Sequence, residues 1–491
     1  MTLSKNFVAR LLGAVGGVAV LSLMAGACHL LEPNTPDVVP AGDLNDALAL
    51  PTIRAGAIGD FGIAYTGSGA SGSGGTVEGQ VLASGLLADE WINTETFPDR
   101  IQADARQTDP ASGTFTTVFR NLARAHLSAL NAAAKFQQLS DTTVNGGRAE
   151  MLALAGYTRL FFAENYCSGV PLSYPNPDGT VNFGAQLTTA QMLDSALDLF
   201  NRSLTAAGIL TTSAKANLVA LATVGRARTL LDMGRLVDAD TVANAVVIPT
   251  TFSYVIQHDL NTTRQANGVY TGIAKFKRYG VADREGGVGF PWRTTIDPRT
   301  PFTRLNVGNP PAPNKGFDNA TPQFDQLRYT DEKAFITLAT GLEARLINAE
   351  AALLRGDSAT FLNTLNLLRA TPPTYILAGA QGTQSPSDQP KPIGAGVLAP
   401  LTAPAGPAAA IDLLFSERAR WLWGTGHRLN DLRRLERATG TRGGYGRPDN
   451  TVFPNGLYFK NGLSYGTDTN FPIPVDEQNN PNFAACLDRL P

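Results

Sequence analysis

The chain carries almost no excess of either charge: 40 Lys and Arg face 42 Asp and Glu, a formal net charge of −2. No basic stripe follows the aromatic residues, so nothing favours nucleic acid as a partner. Beyond the amino-terminal segment there is no apolar run long enough to span a bilayer. Histidine is scarce, and His29, His126, His258 and His427 stand singly, without metal-ligand spacing. No G-x-S-x-G elbow and no G-x-x-x-x-G-K phosphate loop occurs. Gly67, Gly69 and Gly72 match a dinucleotide fingerprint in form only; they sit in Gly/Ser low complexity with no strand before them. Asp194 and Asp198 lie four apart on a predicted helix and read as a solvated face. Carboxylates dispersed for glycoside cleavage are a matter of spatial separation, which sequence does not fix. These absences favour a binding or structural protein over an enzyme, with no catalytic residue, metal site or cofactor expected.

What is present begins at the amino terminus. Lys5 and Arg10 precede an apolar stretch from Leu11 to Ala25, and Ala25, Gly26 and Ala27 lead into Cys28, where the polar EPNTPD segment follows closely. This layout predicts a bacterial lipoprotein signal over residues 1–27, with Cys28 the lipidated first residue of the mature chain; the alternative is a plain secretory signal. Cleavage there leaves 464 residues (491 less 27) and, without Lys5 and Arg10, 38 basic against 42 acidic side chains. The only remaining cysteines would be Cys167 and Cys486, in a compartment that permits oxidation.

Pro and Gly cluster in TGSGASGSGG (66–75), from about Asn261 to Pro322, and from Thr371 to Gly396, which read as loops laid on a scaffold. Between them the helical period is clear. Phe115–Leu139 pairs with Ala149–Tyr166 across Asn145-Gly146-Gly147, and Ala190–Ala206 with Ala214–Met233 across Gly208. Glu332–Arg355 pairs with Ser358–Arg369 across Gly356-Asp357, and Ala408–Ala438 reads as one further long helix. The predicted fold is mainly α: degenerate tetratricopeptide-like repeats, about four helix pairs, carrying large irregular loop insertions.

The stretch SERARWLWGTGHRLNDLRRL (416–435) mixes Glu417, Arg418, Arg428 and Asp431 with Trp421, Trp423 and leucines. It reads as helix packing fixed by Arg–carboxylate forks, ahead of a ligand-binding arginine cluster. This stretch, with its Glu-Arg pair and Gly426-His427-Arg428…Asp431-Leu432, resembles the carboxy-terminal helix of the SusD/RagB-like outer-membrane nutrient-binding lipoproteins. NFPIPVDEQNNPN (470–482) is similar to that family's closing signature, and ARLINAEAALLRGD with TLNLLRA to its third repeat. ADEW (88–91), the helix around Phe119–Leu130 and YCSGVPLSY (166–174) fit the amino-terminal half, and CHLLEPNTPD the mature start. The likeness runs in order from Cys28 almost to Pro491 and omits the central excursion.

The resemblance implies a division into a signal (1–27), a lipidated tether (28–41), an amino-terminal helical-repeat half (42–250) and a carboxy-terminal half with inserted ligand-facing loops (251–491). It also implies a lipid-anchored surface protein that captures a glycan or peptide and acts as the lid of a TonB-dependent, SusC-like β-barrel transporter. Alternatives are an envelope scaffold built on the repeats and a surface hydrolase. Capture of sugars needs aromatic faces on loops; Trp292 is the first candidate, with Tyr279, Tyr270, Trp91 and Tyr65. The last expectation is a Cys167–Cys486 disulfide, closing 319 residues (486 − 167), against a reading as two buried thiols.

Overall fold

The computed structural model describes residues 45–491, apart from 70–75, 177, 179, 246–247, 309–311, 378–395 and 397. The expected signal, lipidation site Cys28 and tether therefore lie outside the described residues. Met1–Ala49 forms a unit of its own, of which a short turn of 3-10 helix, Ala47–Ala49, is described; Leu50–Pro491 forms one compact unit.

Its scaffold is helical: α1 Leu50–Thr66, α2 Gln80–Leu87, α3 Pro98–Asp104, α4 Gly113–Leu139, α5 Gly147–Asn165, α6 Thr189–Gly208, α7 Ala214–Asp232, α8 Leu236–Ala245, α9 Gly341–Leu354, α10 Ser358–Ala370, α11 Pro407–Trp421 and α12 Arg428–Glu436. Helices adjacent in sequence pack on one another from α4 to α8, α9 packs on α8 and α10, and α1 covers α4. This is the expected mainly α stack of antiparallel pairs.

Local chemistry sets the helix ends. Ser112 caps α4 by accepting from the Phe115 N–H, Thr188 and Gln191 form a reciprocal capping box on α6, and Asp357 caps α10 after Gly356 turns the chain at φ +77°. Glycine lets three helices meet: Phe200 of α6 wedges between Gly156 of α5 and Gly225 of α7. A Cβ would sit 2.9 and 2.3 Å from that ring. Large buried side chains in such a seam interdigitate at crystal-like density. A second apolar cluster, with Leu346, Phe361, Leu365 and Leu414, lies between α9, α10 and α11.

Two predicted helices are corrected. The first part of Glu332–Arg355 is a strand, β4 (Ile336–Thr340), antiparallel to β2 (Ser253–Ile256). Alternating Ile336, Thr337 and Leu338 fit the pleat, and Thr340 then caps α9 by accepting from the Glu343 N–H. The predicted helix Ala408–Ala438 is two helices, because Gly424 and Gly426 adopt φ of +67° and +73°. A left-handed residue ends an α-helix, and glycine takes that conformation without a Cβ clash.

The arginine-rich segment is interior. Arg418 grips Asp431 with three N–H···O contacts of 2.8–3.0 Å. Arg434 pairs with Glu350, which also accepts from Tyr445 Oη at 2.6 Å. Glu417 receives Arg299 through both oxygens (2.7 and 3.1 Å) and Arg369 at 2.7 Å, tying α10 and a distant loop to α11. Arg228 of α7 forks onto Glu164 of α5 at 2.6 and 2.7 Å. Arg428 forks onto Asp89 at 2.6 and 2.8 Å. All of these groups except Arg369 and Tyr445 are fully buried, so each Arg offsets a carboxylate that would otherwise stand charged in the core. Cys167 and Cys486 are joined in a disulfide with Cα atoms 5.9 Å apart, fastening the carboxy-terminal tail beside the end of α5.

Candidate functional site

The aromatic residues expected to form an exposed platform are core residues instead, with one exception. Trp292 is 1% exposed; its indole Nε1 donates to the Asp89 carbonyl, and its ring lies 6.1 Å from that of Trp423. Trp91, also buried, packs 5.4 Å from Trp423, so three tryptophans share one cluster beneath the loops. Tyr279 donates to Glu78, and its hydroxyl accepts from Arg100 Nε at 2.9 Å. Tyr65 stacks on Phe161 at 5.3 Å and donates to the carbonyls of Thr337 and Thr425. Only Tyr270 is half-exposed, at the start of a π-helical turn (Thr271–Lys275). The physical reason is size: a wide irregular excursion needs its own apolar filling, and the largest rings supply most area per residue.

What does face outward is a cleft of about 410 Å³ built from two loop regions. Strand β1 (Trp91–Asn93) pairs antiparallel with β3 (Tyr279–Val281) and forms one edge. The pleat sends Trp91 and Asn93 inward and leaves Ile92, half-buried, in the cleft wall. Beyond β3 the chain supplies Asp283, Arg284, Glu285 and Arg293, and further on Arg304, Thr321, Pro322 and Phe324. The opposite wall comes from the carboxy-terminal segment, with Leu457 (72% exposed), Phe459 (47% exposed) and Tyr465.

Several of these side chains are held. The Asp283 carboxylate accepts from the backbone N–H groups of Arg293 and Thr294, both at 2.9 Å, and from Thr294 Oγ1 at 2.5 Å. Burial alone would raise Asp283, but those donors hold it below its ordinary value, and it stays charged. The Arg293 guanidinium stacks 3.8 Å from the centre of Phe324, and Arg304 lies 5.3 Å from the same ring. A ladder of edge-on rings, Phe459 to Tyr458 (4.8 Å) and Tyr458 to Tyr465 (5.3 Å), runs from rim to floor. At the floor Tyr465 donates to Glu285 at 2.8 Å, and Tyr458 donates to Asp104 at 2.7 Å. Burial first, then the neighbouring Asp104 carboxyl, drives Glu285 well above its ordinary value. Lys460 clamps the outer loop by reaching Asn93 Oδ1 (2.7 Å), the Glu95 carbonyl and Asp318 (2.9 Å).

This arrangement suits reversible capture: a firm concave surface with a few aromatic faces and convergent polar groups. A larger hollow of about 710 Å³ near the α6–α7 turn is lined mainly by small residues, Thr212, Ser213, Ala216 and Asn217 among them, with Phe252 buried beside it. It lacks comparable anchoring groups. Among the described residues, no group of three or more His, Cys, Asp or Glu is gathered as metal ligands, and no helix is long and apolar enough to cross a membrane. Sequence reasoning missed Arg284, Arg304 and Phe459 as cleft groups. The one signal for Phe459 was a Tyr-Phe pair beside the turn KNG, residues 458–462.

Protein-family models give no match to the chain, and no curated protein matches it. Solved structures do. The surface glycan-binding protein A from Bacteroides uniformis superposes with a TM-score of 0.59 at 12% identity, covering 89% of this chain and 99% of that one. A SusD-like carbohydrate-binding protein from Bacteroides fragilis NCTC 9343 gives 0.57 at 13% identity, over 88% and 98%. A SusD superfamily protein from Bacteroides vulgatus ATCC 8482 gives 0.55 at 13% identity, over 90% and 99%. At such identities the likeness concerns the fold: this chain has the SusD-like fold across nearly its whole length.

Proposed function

We propose that this chain, with its SusD-like fold, is a cell-surface lipoprotein that captures an oligosaccharide in the loop-built cleft. In this reading Cys28 carries the lipid, and the protein closes over a TonB-dependent, SusC-like β-barrel transporter as its lid. It binds and releases; it does not cleave. The observation that carries the reading is the cleft itself: the exposed ring of Phe459 and the stacked Arg293–Phe324 pair stand on opposite walls, fixed by Lys460 and Asp283. A pyranose offers C–H faces to rings and hydroxyls to charged and backbone groups, so such a wall matches it on both counts. Two of the superposing proteins are described as glycan- or carbohydrate-binding, which supports the same class of ligand here. The test is an oligosaccharide array probed with the full chain, repeated with Phe459→Ala. Binding that weakens by about 1–3 kcal/mol in the variant is expected; an array silent for the wild-type protein would contradict the reading. Acylation of Cys28, by mass spectrometry of the native protein, and co-purification with a β-barrel in detergent test the anchor and the lid.

A further inference from the structure

The cleft holds more positive charge than its surroundings neutralise. Arg284 and Arg304 are exposed and Arg293 is half-buried, and among the described residues none of the three forms an ion pair within 4.0 Å. Two carboxyls share the cleft with them. Asp283, held by two backbone N–H groups and Thr294, stays charged and offsets Arg293 in part, which leaves Arg284 and Arg304 unmatched. Glu285 is turned into the floor, where it meets Tyr465. Five buried arginines meet carboxylates instead, Arg228, Arg299, Arg418 and Arg428 as forks and Arg434 by one contact with Glu350, while buried Arg328 and Arg433 donate to backbone carbonyls.

The backbone that presents Arg284 is itself unusual. Arg284 sits at φ +50° and ψ +41°, a left-handed conformation that a side chain with a Cβ adopts at a cost of about 1 kcal/mol. Gly286 and Gly287 follow at φ +56° and +83°, and a Cβ on Gly286 would come within 2.3 Å of the Asn455 backbone. This tight turn is thus pressed against the segment that leads to Phe459. Strain of this kind persists where surrounding structure enforces it, and it is concentrated at ligand sites. Arg293 and Arg304 flank the Phe324 ring, an arrangement that steadies a guanidinium while leaving N–H edges free.

We infer that the ligand of this cleft is an anionic oligosaccharide, whose carboxylate or sulfate groups are received by Arg284, Arg293 and Arg304 while its sugar rings pack on Phe459. This rests on the proposed glycan-capturing function and adds the chemical class of the glycan. Carboxylate and sulfate share the geometry that a guanidinium fork accepts, so both belong in the test. Oligogalacturonate and a carrageenan-derived oligosaccharide would be titrated against the full chain, each beside its uncharged counterpart (carboxyl-reduced or desulfated), with an oligoglutamate peptide as a further arm. The expected result is that one charged sugar binds at least about tenfold more tightly than its uncharged form, an advantage that shrinks as salt rises. The double variant Arg284→Gln/Arg304→Gln should lose most of that advantage at unchanged melting temperature, and Arg284→Lys/Arg304→Lys should keep part of it. Equal binding of charged and uncharged sugars, with the double variant unaffected, overturns the inference and leaves glycan capture standing. Binding of oligoglutamate but of neither charged sugar also overturns it, in favour of an acidic peptide. Absence of binding by every sugar, charged or not, overturns the glycan reading as well.

Discussion

Arginine in the helical stack and arginine in the cleft are the same side chain in two electrostatic settings. In the stack, Arg228 meets Glu164, Arg418 meets Asp431 and Arg434 meets Glu350, all buried; the first and last pairs join helices 64 and 84 residues apart in sequence. In the cleft, Arg284 and Arg304 face solvent without a carboxylate partner among the described residues. The difference teaches where to look for function. A buried charge must be matched inside the fold or it destabilises it, so a matched arginine reports on architecture. An unmatched one, held by a ring and a strained turn, is free to be matched by something that arrives.

That contrast can be broken or sharpened in steps. The largest effect is expected from Arg228→Ala, which strands Glu164 in the core and leaves Glu343 with His427 alone; chemical denaturation should show a loss of about 3–5 kcal/mol. A mild effect there would mean that the stack does not depend on its ion pairs. The double variant Cys167→Ser/Cys486→Ser should cost about 2–4 kcal/mol through the freed tail, while binding by the cleft is unchanged. Glu90 sharpens the comparison from the acidic side. It is buried, and its Oε2 has no hydrogen-bond partner among the described residues. Burial pushes it up to about 8, against the Gly424 N–H that donates to it. A proton held more tightly in the folded state stabilises it fully below the ordinary value of 4.5, and that contribution is lost as pH rises towards 8. Glu90→Gln should therefore remove a pH dependence on the order of 1.4 kcal/mol per pH unit in that window; identical slopes in the two proteins would refute the assignment. The smallest effect is expected from Arg304→Gln, whose stability should lie within about 0.5 kcal/mol of wild type because nothing in the fold relies on its charge.

The stack was more legible in the sequence than the cleft. Amphipathic period and turn residues placed the helix pairs around Gly208 and Gly356, and the mixture of Glu417, Arg418, Arg428 and Asp431 with tryptophan pointed to Arg–carboxylate forks that fix helix packing, though not to their burial. Two boundaries were hidden: the strand Ile336–Thr340, because its residues also fit a helix face, and the break at Gly424 and Gly426, because a leucine stripe continues across it. The cleft was hidden for a different reason. Loops declare their composition but not which side chains turn outward, and a place in or near the loops favoured Trp292 and Trp91, which the fold uses as core. Phe459 lies some 170 residues beyond Trp292 in sequence, and only the folded chain places it across from Phe324 and Arg304.

The most direct test is calorimetric titration of the full chain with the tightest-binding oligosaccharide from an array, run in parallel on Phe459→Ala and Arg228→Lys with melting temperatures recorded. The account predicts that Phe459→Ala loses about 1–3 kcal/mol of binding at unchanged melting temperature, whereas Arg228→Lys melts earlier and binds as wild type while folded. Binding that survives Phe459→Ala intact, or that follows the core variant instead, would contradict it.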